Sequence, residues 1–530
     1  MTYRVLVADS IAASGLAPLT ADPRFEVVVR TGLKGEELAR AVEGVHAVVV
    51  RSATSITRDS LKYASALVLI GRAGVGVDNI DVQAATERGV AVLNAPSGNT
   101  ISAAELAFSL MLSLARRIPA ADQSMHRGEW DKKSFTGTEL LGKTLGLIGA
   151  GRIGGEVARR ARAFGMRVVA YDPYLSPQRA EELELELAGL DDVLSQADVV
   201  SVHTPLTQAT TGMISDGQLA RMKRGALLVN AARGGVVDEG ALVRALETGQ
   251  LGGAGLDVYT EEPLPAEHPL RQARNLVLTP HLGASTHEAQ QNVAVEIAQA
   301  VRDALLEGDF SHAVNAPAIG GEEMRRVRPL LDLAERLGQV AAALLDDAIA
   351  RISVRYAGPG ENLTRALASA AVTGALRPVL GGGSINHVNA LHLAEARGIL
   401  VERADLNARG QYEEFLDVRL SSASGHDVRT AGALVAGRHP RLVRIDRYRL
   451  MVQPFGVLLI MRNRDVPGVI GRVGTALGAA GVNIAEYYQS RVQAGGEALA
   501  AIRVDGRVGE GTMASLRALE DVVSVTQVVL

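Results

Sequence analysis

Short apolar runs rich in β-branched residues recur along the N-terminal part of the chain, separated by stretches with helical spacing. The first set is Tyr3–Ala8, Glu26–Arg30, Ala47–Arg51, Leu67–Gly71 and Ala91–Leu93. Continuous apolar runs of this length suit parallel strands covered on both faces, with the intervening helices as the cover. They predict a small doubly wound α/β lobe. A long apolar helix over Ser102–Arg116 follows, with Asn99 or Thr100 as its cap. A second series of strands is then expected at Thr144–Ile148, Arg167–Tyr171, Val199–His203, Leu227–Asn230, Gly255–Val258 and Leu276–Leu278, and a helix over Thr286–Leu306 returns towards the first lobe.

The pattern changes near Ala316. A helix rich in Leu and Ala is expected at Leu330–Leu345, a glycine loop at Gly381–Ser384, and strands at Phe415–Leu420 and Arg444–Met451. The last stretch reads as strand Val457–Met461, a turn through Asp465–Gly468, helix Val469–Ala480, strands Val482–Gln489 and Ala498–Val504, helix Gly511–Leu519 and strand Val522–Val529. That is the βαββαβ order of the ferredoxin-like fold. The divisions expected are 1–98 with 290–315, 99–289, 316–452 and 453–530. The joints at Gly320-Gly321 and Gly381–Gly383 are candidate hinges.

A length of 530 residues agrees with several cores. With 55 basic and 59 acidic residues spread along the chain, there is no clustered cation surface for nucleic acid. The absence of cysteine removes disulfides, thiolate catalysis and thiolate metal sites, and nothing calls for a metal. No leader peptide or membrane span is expected, and a cytoplasmic protein is the simplest reading.

Two groups of residues carry chemistry. Gly149-Ala150-Gly151-Arg152-Ile153-Gly154 follows a strand and opens a helix, the arrangement that brings a dinucleotide pyrophosphate to backbone N–H groups and a helix N-terminus. Asp172 ends the next strand, 18 residues beyond Gly154, where an acid accepts from ribose hydroxyls and repels a 2′-phosphate; NAD is therefore expected over NADP. Arg233, Glu262 and His281 each follow a strand end of the second lobe. Oxidising a secondary alcohol needs a base for the hydroxyl proton, which a histidine supplies near neutral pH. A carboxylate orients that ring, and an arginine forks onto a carboxylate of the substrate. Singly, each has an ordinary explanation as a loop ion pair, a turn residue or a buried histidine.

The segments Leu147–Gly154, His203-Thr204-Pro205-Leu206, Asn230–Asp238, Leu256–Pro263 and Pro280–Thr286 resemble the signature blocks of the D-2-hydroxyacid dehydrogenases. The resemblance implies a flavodoxin-like substrate lobe and a Rossmann NAD lobe, with Arg233, Glu262 and His281 catalytic. It also implies cofactor contacts at Val75, Gly149, Gly151, Arg152, Ile153, Gly154, Asp172, Thr204, Ala231, Ala232, Arg233, Asp257, His281, Leu282, Gly283 and Ala284. Arg51-Ser52-Ala53-Thr54, Gly71–Asn79 and Ser97-Gly98-Asn99 resemble in particular the members acting on 3-phosphoglycerate. Arg51 and Arg72 would then meet a phosphate, Gly74 and Gly76 would turn backbone N–H groups to the carboxylate, and Ser52 and Asn99 would complete the substrate site. Residues 317 to 450 resemble the intervening domain of the longest such enzymes, and 455–530 an ACT regulatory module. The latter implies L-serine as effector at Asn463, Asp465 and Asn483, although relatives tend to carry Tyr or His where Asn463 stands. It also implies a homodimer or homotetramer pairing these modules edge-to-edge or face-to-face. The competing readings are a glyoxylate or hydroxypyruvate reductase, and a non-enzymatic NAD-sensing regulator.

Overall fold

The computed structural model describes residues 2–317, 319–360, 363–381, 384–406 and 412–530. Five parallel strands, Tyr3–Val7, Phe25–Val29, Ala47–Val50, Leu69–Arg72 and Ala91–Asn94, form the first sheet in the spatial order 2-1-3-4-5. That is the flavodoxin-like order. The second sheet has seven parallel strands: Thr144–Ile148, Arg167–Tyr171, Glu186–Leu187, Val199–Val202, Ala226–Asn230, Leu251–Leu256 and Leu276–Leu278. Their order, 3-2-1-4-5-6-7, contains the doubly wound dinucleotide-binding arrangement.

The strand expected at Gly255–Val258 starts earlier and ends at Leu256. Its opening glycines hid it, because they carry no apolar side chain. Gly253 and Gly255 are small for a reason: a Cβ on Gly255 would lie 3.2 Å from Leu110 Cβ, and one on Gly253 3.3 Å from Leu114 Cδ2. Both leucines belong to the helix Thr100–Ala115, which packs on this sheet. The earlier end leaves Asp257 just past the strand, buried in the wall of the cleft.

The helix His287–Glu307 leaves the second lobe and packs Val293, Ile297, Ala298 and Val301 against Val5, Val7 and Leu93 of the first. Asn315 fastens the return, accepting from the Val92 N–H at 2.8 Å and donating to the Val90 carbonyl at 3.0 Å. Two sheets joined by two crossings leave a cleft at the carboxyl ends of their strands. No helix of the described residues is long and apolar enough to cross a membrane.

Beyond the cleft, the helix Gly321–Leu344 begins well before the expected Leu330 and runs through Pro329. Gly320 is its N-cap and Gly321 its first residue, so this joint is a helix start; Gly382 and Gly383 of the other proposed joint lie outside the described residues. The helix Leu363–Leu380 was not foreseen. Every residue from Leu363 to Leu376 apart from Arg365 is buried, and a helix apolar all round shows no stripe. These two helices touch backbone to backbone: a Cβ on Gly374 would lie 1.8 Å from the Glu335 carbonyl oxygen, and one on Gly338 2.0 Å from that of Ala371. They cover a six-stranded sheet ordered Leu400–Asp405, Ile349–Ala357, Phe415–Ser422, Asp427–Val435, His439–Ile445 and Tyr448–Val452. The single strand expected at Arg444–Met451 is two strands. Asp446, at φ 49°, and Arg447 turn the chain so that Ile445 pairs with Tyr448.

The final module is antiparallel throughout, ordered Ile484–Arg491, Glu497–Val504, Val457–Arg464 and Val522–Val529. Its helices, Val469–Ala479 and Glu510–Arg517, cover one face. The other face buries Leu458, Ile460, Leu499, Ala501 and Val528 in the same core as Leu330, Leu337 and Val340 of the long helix. Face-to-face pairing with another copy is therefore closed, because the intervening helices already occupy that face.

Candidate active site

The loop after Leu276–Leu278 carries His281, whose backbone sits in the left-handed region at φ 53°. Asp257 holds that conformation. Its carbonyl accepts from the His281 N–H at 2.9 Å, and its buried carboxylate accepts from Thr279 Oγ1, Leu282 N–H and Gly283 N–H at 2.7, 2.7 and 2.9 Å. Burial pushes the Asp257 carboxyl up despite these donors. The residue was expected to touch the cofactor; here its side chain shapes the histidine loop, although it still lines the cleft.

His281 Nδ1 lies 2.6 Å from Glu262 Oε2. A carboxylate can only accept, so Nδ1 carries the proton and Nε2 is left to take one. The hydrogen bond to Glu262 raises the His281 pKa above its ordinary value, outweighing burial. Burial alone would push Glu262 up, but the bonds from His281 and from the Tyr259 N–H, at 3.0 Å, hold it below the usual range.

The dyad faces a cavity of about 440 Å³ between the lobes, and Arg51, Arg72 and Arg233 all line it. Arg233 is placed by Asn230, which donates to its carbonyl at 2.9 Å, while Gly234 lets the loop pass Tyr259: a Cβ there would lie 1.8 Å from that carbonyl oxygen. Arg51 is placed by the buried Asp9, which accepts its N–H at 2.6 Å, and by Asn79, which donates to its carbonyl at 2.6 Å. Burial first, and then the charges of Arg233 and Arg51, pull the Arg72 guanidinium down to about 10. Its buried Nε has no hydrogen-bond partner. Three guanidiniums share the space with Asp78, which reaches across from the first lobe to Arg233 Nε at 3.1 Å.

Ser52, Val75, Gly76 and Asn99 line the cavity as expected. Asn99 holds the N-cap position but makes no side-chain cap bond; its buried Oδ1 is unpartnered. Gly76 lies against Arg233, with a hypothetical Cβ 2.0 Å from Nη2. Gly74 does not belong to the lining. Its N–H already donates to the Arg72 carbonyl at 2.8 Å, so it has none to offer a substrate.

Ile153, Thr204, Ala231, Ala232, Gly283 and Ala284 line the cavity from the second lobe, while Gly149, Gly151, Arg152, Gly154, Asp172 and Leu282 lie outside its enclosed part. The glycine loop fits a dinucleotide. Gly149 turns at φ 93°, and a Cβ on Gly151 would meet nothing within 4 Å, leaving room for phosphate at the helix start. Gly154 answers to its own loop, because a Cβ there would lie 2.2 Å from the Gly149 carbonyl oxygen. Asp172 accepts from the Ala150 and Tyr174 N–H groups, both at 2.9 Å. A carboxylate offers about four lone-pair sites, so capacity for ribose hydroxyls remains. Thr204 Oγ1 is buried without a partner, a further donor for a bound group. His203, which sequence reasoning passed over inside His-Thr-Pro-Leu, also lines the cavity; burial pulls its imidazole down to about 4, so it stays neutral. Asp78, passed over in Gly71–Asn79, is the other omission of chemical weight.

The three residues expected to hold an effector do not converge within one chain. Asp465 accepts from Arg491 Nη1 at 2.7 Å, beside Gly495, and that ion pair holds its carboxyl below the usual range. Asn483 donates to Asp505 Oδ2 at 2.7 Å, at the opposite end of the strand Glu497–Val504. Eight residues of strand separate them by roughly 25 Å. Asn463 is buried, donating to the Arg464 carbonyl at 2.7 Å.

An imidazole oriented by a carboxylate and three arginines on one cavity, set beside a dinucleotide loop, fit one class: an NAD-dependent dehydrogenase of 2-hydroxy acids. Residues 108–283 match the family model of the D-isomer specific 2-hydroxyacid dehydrogenase NAD binding domain. Residues 326–446 match that of the D-3-phosphoglycerate dehydrogenase intervening domain, and 457–521 the ACT domain. The chain is 42% identical to the D-3-phosphoglycerate dehydrogenase of Archaeoglobus fulgidus over 99% of its length and all of that protein's. It is 42% identical to the enzyme of that name from Synechocystis, over 97% of this chain and 92% of that one. The crystal structure of the TT0316 protein from Thermus thermophilus superposes with TM-score 0.53 at 41% identity, covering 57% of this chain and 97% of that one. The chain belongs to the D-3-phosphoglycerate dehydrogenase family.

Proposed function

We propose that this enzyme oxidises 3-phospho-D-glycerate to 3-phosphooxypyruvate, the first step of the phosphorylated route to L-serine. The observation that carries the proposal is the convergence of Arg51, Arg72 and Arg233 on one cavity beside the His281–Glu262 pair. A substrate with a carboxylate and a phosphate needs two cationic grips, whereas an unphosphorylated hydroxy acid needs one. NAD, when bound, supplies the hydride acceptor. His281 Nε2 takes the hydroxyl proton as the alcohol carbon becomes a carbonyl, and Glu262 stabilises the imidazolium formed. Arg233 forks onto the carboxylate, with Asn99 and the Gly76 N–H beside it; Arg51, Ser52 and Arg72 hold the phosphate. In this reading residues 1–98 with 290–315 bind substrate and 99–289 bind NAD, while 316–452 and 453–530 carry regulation.

The test is steady-state turnover of Arg51→Ala and Arg72→Ala with 3-phosphoglycerate and with an unphosphorylated 2-hydroxy acid. A loss in kcat/KM at least tenfold larger for the phosphorylated substrate is expected. Equal losses for both would refute a phosphate role.

L-serine as effector belongs to the same proposal. The separation of Asp465 from Asn483 means that a site using both draws them from two copies of the chain, paired along module edges. Inhibition of the full-length homo-oligomer by L-serine, lost in Asp465→Ala with Asn483→Ala, is the expected outcome. Undiminished turnover at millimolar serine would remove serine from the scheme.

A further inference from the structure

A second cavity, of about 670 Å³, lies where the final strand meets the ends of the two packed helices. Neither the dehydrogenase chemistry nor the effector residues touch it. Its walls come from both C-terminal bodies: Ala343, Leu345, Ile349 and Leu376 from the intervening domain and Val528 from the final strand, with Val379 standing 80% exposed at its rim. Gln339 ties the two sides together by donating to the Val529 carbonyl.

The polar side chains at this cavity are unevenly charged. Arg377, Arg397 and Arg507 line it against one acid, Asp347. Asp347 is already engaged, accepting from Ser424 Oγ at 2.6 Å and the Ala348 N–H at 2.7 Å. Arg377 is paired with Glu335 through Nη1, yet its buried Nε has no partner. Arg397 makes one bond, from Nη1 to the Leu393 carbonyl at 3.0 Å, and neither it nor Arg507 forms an ion pair among the described residues. Two uncompensated guanidiniums above an apolar hollow select for an anionic head on an apolar body. A small hydrated anion would use the arginines and leave the apolar walls empty, a neutral apolar molecule would fill the walls and leave the arginines unanswered, and an anionic head on an apolar body uses both.

We propose that this cavity is a binding site for a small amphipathic carboxylate, its apolar part between the helix ends and the final strand and its head on Arg397 and Arg507. The ligand bridges the intervening domain and the final module, so its binding stabilises their contact.

The full-length protein titrated calorimetrically with octanoate, octanol and inorganic phosphate tests this. Octanoate is expected to bind at least tenfold more tightly than either of the others. Arg397→Ala with Arg507→Ala should weaken octanoate at least tenfold while turnover of the hydroxy acid substrate stays unchanged, since both residues lie outside the cleft. Ala343→Trp, which fills the hollow, should abolish binding. Because that change sits on a buried helix, the double arginine variant, altered only at exposed positions, decides if Ala343→Trp fails to fold. Absence of octanoate binding at millimolar concentration, or affinity unchanged in the arginine variant, overturns the proposal; so does phosphate or octanol binding as tightly as octanoate.

Discussion

His281 combines a left-handed backbone with a proton-poised ring, and both depend on neighbours that it does not precede or follow directly. Asp257 sets the backbone and Glu262 sets the tautomer. Replacing His281 with Ala should lower kcat by about 10²–10⁴-fold, the usual worth of a general base, with NADH binding by fluorescence retained. The pH dependence follows from Glu262. Oxidation requires neutral His281, whose pKa the glutamate raises, so kcat/KM for oxidation should climb with pH through a midpoint above about 6.5. In Glu262→Gln the charge is gone, and that midpoint should move down while the maximal rate falls; a pH–rate profile in which the midpoint stays put would show that the glutamate does not tune the ring. Asp172→Ala should shift the kcat/KM ratio from NAD towards NADP, because the charge opposing a 2′-phosphate is removed. Since Asp172 also holds the Ala150 N–H, the variant should lose some affinity for both cofactors.

Among elements, the pair of helices Gly321–Leu344 and Leu363–Leu380 carries the tightest constraint. Gly374→Ala gains up to about 1 kcal/mol of helix propensity. It also drives a Cβ to 1.8 Å from the Glu335 carbonyl oxygen, where only backbone movement relieves the clash. Overpacking of this kind costs about 1–3 kcal/mol, so the clash wins and the thermal midpoint of the C-terminal half should fall. An unchanged or raised midpoint in differential scanning calorimetry would mean that the helices separate freely.

At the scale of the molecule, the final module completes a core that begins in the intervening domain. Truncation at residue 452 uncovers Leu330, Leu337 and Val340. The truncated protein should bind an apolar dye and melt at a lower temperature, even though its cleft is intact. For the same reason the isolated module is a poor vehicle for effector binding, since Leu458, Ile460 and Leu499 would face water. Between the lobes, Asp78 bridges to Arg233, two loops that meet only when the cleft is assembled.

The sequence by itself determined the two parallel sheets, the glycine loop with Asp172 at the end of the next strand, the positions of Arg233, Glu262 and His281 just past strand ends, and the βαββαβ order at the end. Each is written in local terms: an uninterrupted apolar run, a glycine at a turn, a polar residue just past a strand. It was silent where the local signal cancels. Leu363–Leu380 shows no stripe because it is buried all round, and Leu251–Leu256 opens on Gly252 and Gly253, the second of which lies against Leu114. Tertiary structure alone decided that Asp257 braces the histidine loop and that Asp465 and Asn483 stand at opposite ends of a strand. It also decided that the last sheet has no free face. All three depend on which groups, distant in the chain, meet at a donor, an acceptor or an apolar surface, and that is settled only by packing.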